Sequence, residues 1–182
     1  MNITYQRLKN EHARLLTLVE VLEEELVRVD QGGGPNYVLL GDCMDYLCCY
    51  PETFHHPIEE KIMNQLAVIE PASRELIKTL NQEHLTLKDL GQRVSTSCRA
   101  VAQESLFPWE EIRTELAAYA ALMREHILHE DNEALPLAEQ LLPDEMWPES
   151  SSLENDDSDP LFGKVVADGY RNLYHHIINR GS

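Results

Sequence analysis

Residues 54–60 read Phe-His-His-Pro-Ile-Glu-Glu and residues 124–130 read Arg-Glu-His-Ile-Leu-His-Glu. Both stretches contain His-x-x-x-Glu, as His55 with Glu59 and as His126 with Glu130. On a helix, residues four apart lie on one face, one above the other, so each pair can grip one cation. Each stretch also offers a second register, His56 with Glu60 and His129 with Glu133, and the apolar continuation decides between them. His55 and Glu59 run on into Ile62, Leu66 and Ile69, whereas His56 and Glu60 run on into Met63 and Ala67. Ile112, Leu116, Tyr119 and Met123 lead into His126 and Glu130, so the first register is favoured in both places.

Outward from the two motifs the spacing predicts four long helices separated by turn chemistry, an all-α chain. The first covers residues 5–30, with Leu8, Leu15, Val19, Leu22, Leu26 and Val29 on one stripe, and Gly32-Gly33-Gly34-Pro35 ends it. The second covers 36–70 and stops at Pro71. The third covers 72–102 along Ile77, Leu80, Leu87, Val94, Cys98 and Val101. The fourth covers 109–142, with Pro108 at its first turn, the stripe extending through Ala134, Leu137 and Leu141, and Pro143 at its close. Pro57 and Pro136 lie inside predicted helices and predict bends there. Residues 143–160 are acidic, Ser-rich and poor in core residues, which predicts an irregular connector between the 1–142 bundle and a short fifth helix within 161–182.

Histidine interrupts the apolar stripe in all four long segments, at His12, His55, His84 and His126. In an up-down-up-down chain, residues equally far from a shared turn lie level. His12 and His55 stand about 20 residues either side of Gly33; His55 and His84 stand about 14 either side of Pro71. His84 and His126 are each about 20 residues from the turn near Ser105, so the four histidines can meet. Burying these rings with Glu59 and Glu130 unpaired costs several kcal/mol each, and no Lys or Arg occupies the adjoining stripe positions. A cation has to supply the charge. Four imidazoles and two carboxylates, without a thiolate, exceed one tetrahedral zinc and suit two iron or manganese ions.

The strings KNEHARLL, FHHPIEEKIM, NQEHLTL and REHILHEDNEALP together resemble the hemerythrin-like family, the HHE cation-binding domain, over residues 4–142. The resemblance implies a di-iron centre inside a four-helix bundle, with His12, His55, His84 and His126 as terminal ligands and Glu59 and Glu130 as bridges. Oxygen carriers of the family have His-x-x-x-His on the third helix, and Leu80 stands where the first of those histidines would fall. Six protein ligands on two irons leave positions for solvent, an oxo or hydroxo bridge and an exogenous molecule, a more open centre than a dedicated carrier's. The position after the first histidine of the second-helix motif also ligates in some members; His56 and Glu60, and equally His129 and Glu133, are reserve candidates whose simpler reading is a supporting or solvent-facing role.

A formal charge of −17 repels nucleic acid and anionic lipid. The first residues lack an export signal, and no apolar run reaches membrane-spanning length, so the expectation is a cytoplasmic protein. Cys43, Cys48, Cys49 and Cys98 show no Cys-x-x-Cys spacing and are expected to be reduced. The expected function is binding of a small diatomic or peroxidic ligand, O2, NO or H2O2, for sensing, scavenging or stress protection. The alternative is an iron-responsive regulatory or interaction module whose fold is set by metal loading. A di-iron oxidase or peroxidase ranks third, because no second constellation of acid, base or nucleophile is legible. Trp109, Trp147 and the aromatic tail are compatible with a homodimer.

Overall fold

The computed structural model describes residues 2–103, 107–148 and 158–180, and every regular element among them is helical. The central part of the expected acidic connector, 149–157, lies outside the described residues. Helix α1 spans Ile3–Asp30; the Asn2 side chain accepts from the Thr4 amide at its start. At its end Gly32 adopts φ +95°, its N–H bonds to Val29 O, and the Gly33 N–H bonds to Arg28 O. That pair of bonds satisfies the last carbonyls and requires the left-handed residue that glycine supplies.

The second predicted helix is a rod of three pieces: α2 (Tyr37–Tyr50), a π-helical turn (Pro51–His55) and α3 (His56–Ile69). The fourth is built likewise from α5 (Trp109–His129), a π-helical turn (Glu130–Ala134) and α6 (Leu135–Leu141). In both rods the residue before the proline donates five residues back, His56 N–H to Pro51 O and Leu135 N–H to Glu130 O. The predicted proline bends are therefore absorbed as one widened turn, into which Pro57 and Pro136 fit without an amide hydrogen. Between the rods, α4 (Arg74–Ala102) runs unbroken after a short 3-10 turn at Pro71–Ser73.

Around the bundle α1 packs on α2 and α5, and α4 packs on the same two. Two apolar cores result. One gathers Leu15, Leu18, Leu22, Leu40, Met44, Leu87, Val94, Ile112, Leu116, Tyr119 and Met123; the other gathers Leu8, Ile58, Ile62, Leu66, Ile77, Leu80, Leu135 and Ala138. The buried polar residues that interest us lie between them.

The expected fifth helix is shorter than its segment. Residues 160–167 form turns, a 3-10 turn follows at Asp168–Tyr170, and α7 is Arg171–Asn179. It docks on α2 through fully buried Leu173, with Leu161 buried beside it. Burying one such leucine stabilises by about 2 kcal/mol. Asp159 fixes the segment's entry: it accepts from the Leu161 and Phe162 amides and from the Tyr46 hydroxyl at 2.9 Å, with Arg14 at 3.5 Å. Trp147 is spent inside the chain, packed in the second core with its indole N–H on Leu142 O. All four cysteines are free.

Candidate metal centre

The favoured register is the buried one. His55, Glu59, His126 and Glu130 are each 1–2 % exposed, as is His12, while Glu60 and Glu133 face solvent. His84 is partly exposed. The four helices deliver these side chains to one height along the bundle.

The donors form two groups. His12, His55, Glu59 and Glu130 make one; His56, His84 and His126 make the other; within each, the donor atoms lie within 4.8 Å of one another. In the first, His12 Nε2 is 3.0 Å from His55 Nε2, 3.2 Å from Glu59 Oε1 and 3.3 Å from Glu130 Oε2. On the opposite side, His84 Nε2 stands 3.7 Å from Glu59 Oε2 and 3.7 Å from Glu130 Oε1, and His126 Nε2 is 3.3 Å from the same Glu130 oxygen. Each glutamate thus turns one oxygen toward each group. Glu59 Oε2, Glu130 Oε2 and His84 Nε2 are buried without a hydrogen-bond partner. Orphaned acceptors of this kind are expensive, and a cation between the groups would satisfy all three.

The outer ring nitrogens face carboxylates. His55 Nδ1 is 2.7 Å from Glu11, His12 Nδ1 2.7 Å from Asp131, His126 Nδ1 2.9 Å from Glu83 and His56 Nδ1 3.1 Å from Glu52. A carboxylate there fixes the tautomer that turns Nε2 inward and makes it a better donor. These acids are balanced in turn: Arg7 and the Tyr50 hydroxyl hold Glu11, Lys9 holds Asp131, and Lys88 holds Glu52. His129 belongs to this outer layer, its Nδ1 2.9 Å from Glu83.

The halves differ electrostatically. Burial pulls the His12 pKa down, but Asp131, Glu130 and Glu59 outweigh it and raise the value well above the ordinary imidazole range. For His55, burial is likewise outweighed, by Glu59 and Glu11, and its pKa rises to about 9. Burial raises the Glu59 pKa less than His55 and His12 lower it, so this carboxylate stays ionised. In the other group burial wins: His56 and His84 fall to about 4, helped by neighbouring rings.

The chain matches the family described as Hemerythrin HHE cation binding domain over residues 4–138. It belongs to that family. No curated protein and no solved structure matches it. The two clusters, one of three histidines and one of two histidines with two glutamates, draw on every long helix and are able to hold metal. Among the described residues no helix is long and apolar enough to cross a membrane.

Leu80 lies in the second apolar core of this hemerythrin-like chain, on the stripe where the sequence places it, and the reserve candidate His56 stands beside His84, their ring centroids 4.0 Å apart. Sequence reasoning missed Glu11, Glu52, Glu83 and Asp131. A signal existed for two of them: the dipeptide Glu-His occurs at 11–12, 83–84 and 125–126, and in the first two the glutamate orients the histidine of the next rod while Glu125 is exposed.

A twofold relation along the bundle axis describes the centre. It exchanges His12 with His84, His55 with His126, Glu59 with Glu130 and Glu11 with Glu83. It fails where His56 corresponds to Ile127, where exposed Glu60 corresponds to Asp131, and where Glu11 is held by Arg7 and Tyr50 but Glu83 by His129.

Proposed function

We propose that this chain is a non-haem di-iron protein that binds a small diatomic or peroxidic ligand, O2, NO or H2O2, in sensing, scavenging or stress protection. The observation that carries the reading is the division of each glutamate's oxygens between two histidine groups, the arrangement expected of bridging carboxylates. His12 and His55 would hold one ion, and His56, His84 and His126 the other, with Glu59 and Glu130 between. Nitrogen and oxygen donors without thiolate favour iron, or manganese, over a zinc site. Iron supplies open coordination positions and accessible redox states for a small ligand. Beside His56 lies a cavity of about 20 Å³ walled by Leu47, Leu87, Tyr119 and Met123 among others. That volume holds roughly one water-sized molecule, which suits a diatomic and excludes larger substrates. The test is metal analysis with optical spectroscopy of purified protein before and after O2, NO and peroxide. About two irons per chain with ligand-dependent bands are expected; failure to hold iron or manganese would sink the proposal.

A second reading, the iron-responsive module, has its own support. From buried Asp159, Tyr46 stacks on Tyr50 at 5.1 Å, the Tyr50 hydroxyl meets Glu11, and Glu11 meets His55. The docked tail and a candidate ligand thus share one continuous set of contacts. If loading controls docking, proteolysis within 158–180 should be faster in metal-depleted protein; equal rates would refute this version.

A further inference from the structure

The small cavity adjoins a surface groove of about 340 Å³ lined by Glu52, His56, Pro57, Asn81, His84 and Lys88, among others. Among the described residues, only Glu52, His56 and Lys88 border both spaces. Lys88 Nζ lies 2.7 Å from Glu52, and the same carboxylate reaches His56 Nδ1 from its other oxygen. We infer that the Glu52–Lys88 ion pair is the gate through which a small neutral ligand passes from this groove to the chamber beside His56, and that Gly91 sets the chamber's size. The inference rests on the small-ligand reading above and adds to it a route and two residues that decide what passes.

The pair suits a gate because it opens cheaply. Lys88 is 49 % exposed and Glu52 31 %, and exposed pairs of this kind are worth about 0.2–1 kcal/mol. Glu52 need not release His56 when Lys88 swings away, so opening leaves the ring oriented. Behind the chamber, Gly91 on α4 leaves no room for a methyl group. A Cβ there would stand 2.7 Å from Cys48 Sγ and 3.1 Å from Tyr119 Cε2, and both side chains line the cavity. Displaced, they would move into it.

The test uses iron-loaded full-length protein, nitric oxide as the neutral probe, and Cys48 as an internal reporter. Lys88→Met keeps the stem and removes the ion pair. Nitric oxide association and dissociation should both accelerate about two- to fivefold, and their ratio should change by less than either rate, since a gate alters both rates alike. Labelling of Cys48 as the sulfenate by hydrogen peroxide, a reagent small enough for the chamber, should accelerate likewise in metal-free protein relative to exposed Cys49. In Gly91→Ala, nitric oxide affinity should fall about tenfold or more, the usual effect of a methylene in a close-fitting site. Unchanged nitric oxide rates and unchanged Cys48 labelling in Lys88→Met, with iron content intact, would overturn the gate. Absence of iron from the parent protein would instead overturn the underlying di-iron reading, and Cys48 labelling would still report on the gate.

Discussion

His56 separates the two halves of the centre experimentally, because it belongs to one donor group while Glu59 and Glu130 face both. His56→Ala should lower iron content from about two to about one per chain, whereas Glu59→Ala should lower it toward zero; elemental analysis distinguishes the outcomes. One residue further out, Glu11→Ala frees the His55 ring and leaves Arg7 and Tyr50 facing an empty space. Metal affinity in a competition titration should fall about 10- to 100-fold, the usual effect of losing the carboxylate behind a ligating histidine. Residue identity made much of this legible in advance. His12, His55 and His126 interrupt apolar stripes at level heights, and burial of Glu59 without a basic neighbour singled it out. His56 was less legible because its place on the helix is offset by one position from the buried stripe. Only the widened turn before it decides where its ring points.

That turn belongs to the scale of elements. The sequence predicts two long helices with proline bends, and the spacing is right on either side of each bend. What periodicity cannot reveal is the single extra residue that each π-helical turn inserts, since a change from four- to five-residue hydrogen bonding leaves the apolar pattern shifted by only one place. Inserting one alanine after Thr53 adds a residue beyond the one that the widened turn absorbs and rotates α3 relative to α2 by about 100°. Either His55 and Glu59 or the stripe through Leu40, Met44 and Leu47 must then leave the interior. Circular dichroism should still report a helical protein, and iron content should drop sharply; a variant that loads iron normally would show that the turn does not set the register. The tail was legible only as helical spacing. Its docking depends on Asp159, which sits in an acidic stretch and looks like any other surface aspartate until Tyr46 and two amides meet it.

Over the whole molecule, the metal is expected to be part of the folding energy. Three polar atoms buried without partners tax the metal-free state, and a ligand present at a hundredfold excess over its dissociation constant adds about 2.7 kcal/mol. For a chain of this length that corresponds to about 5–10 °C, so chelation should lower Tm by that amount in a thermal melt. Substituting Leu173→Ala should cost about 2–5 kcal/mol through the void left between α7 and α2, with iron content unchanged. The approximate twofold has a consequence for how labour is divided at the centre. Because the two rods contribute equivalent histidines and glutamates, any inequality between the cations must come from the unbroken helices and from the positions where the symmetry fails. His12 is sealed and braced by Asp131, whereas His84 is 18 % open and shares its face with His56. In the proposed two-cation centre, the cation held at His12 would be an anchor and the one held at His84 a workplace, which a molecule arriving from solvent would meet first.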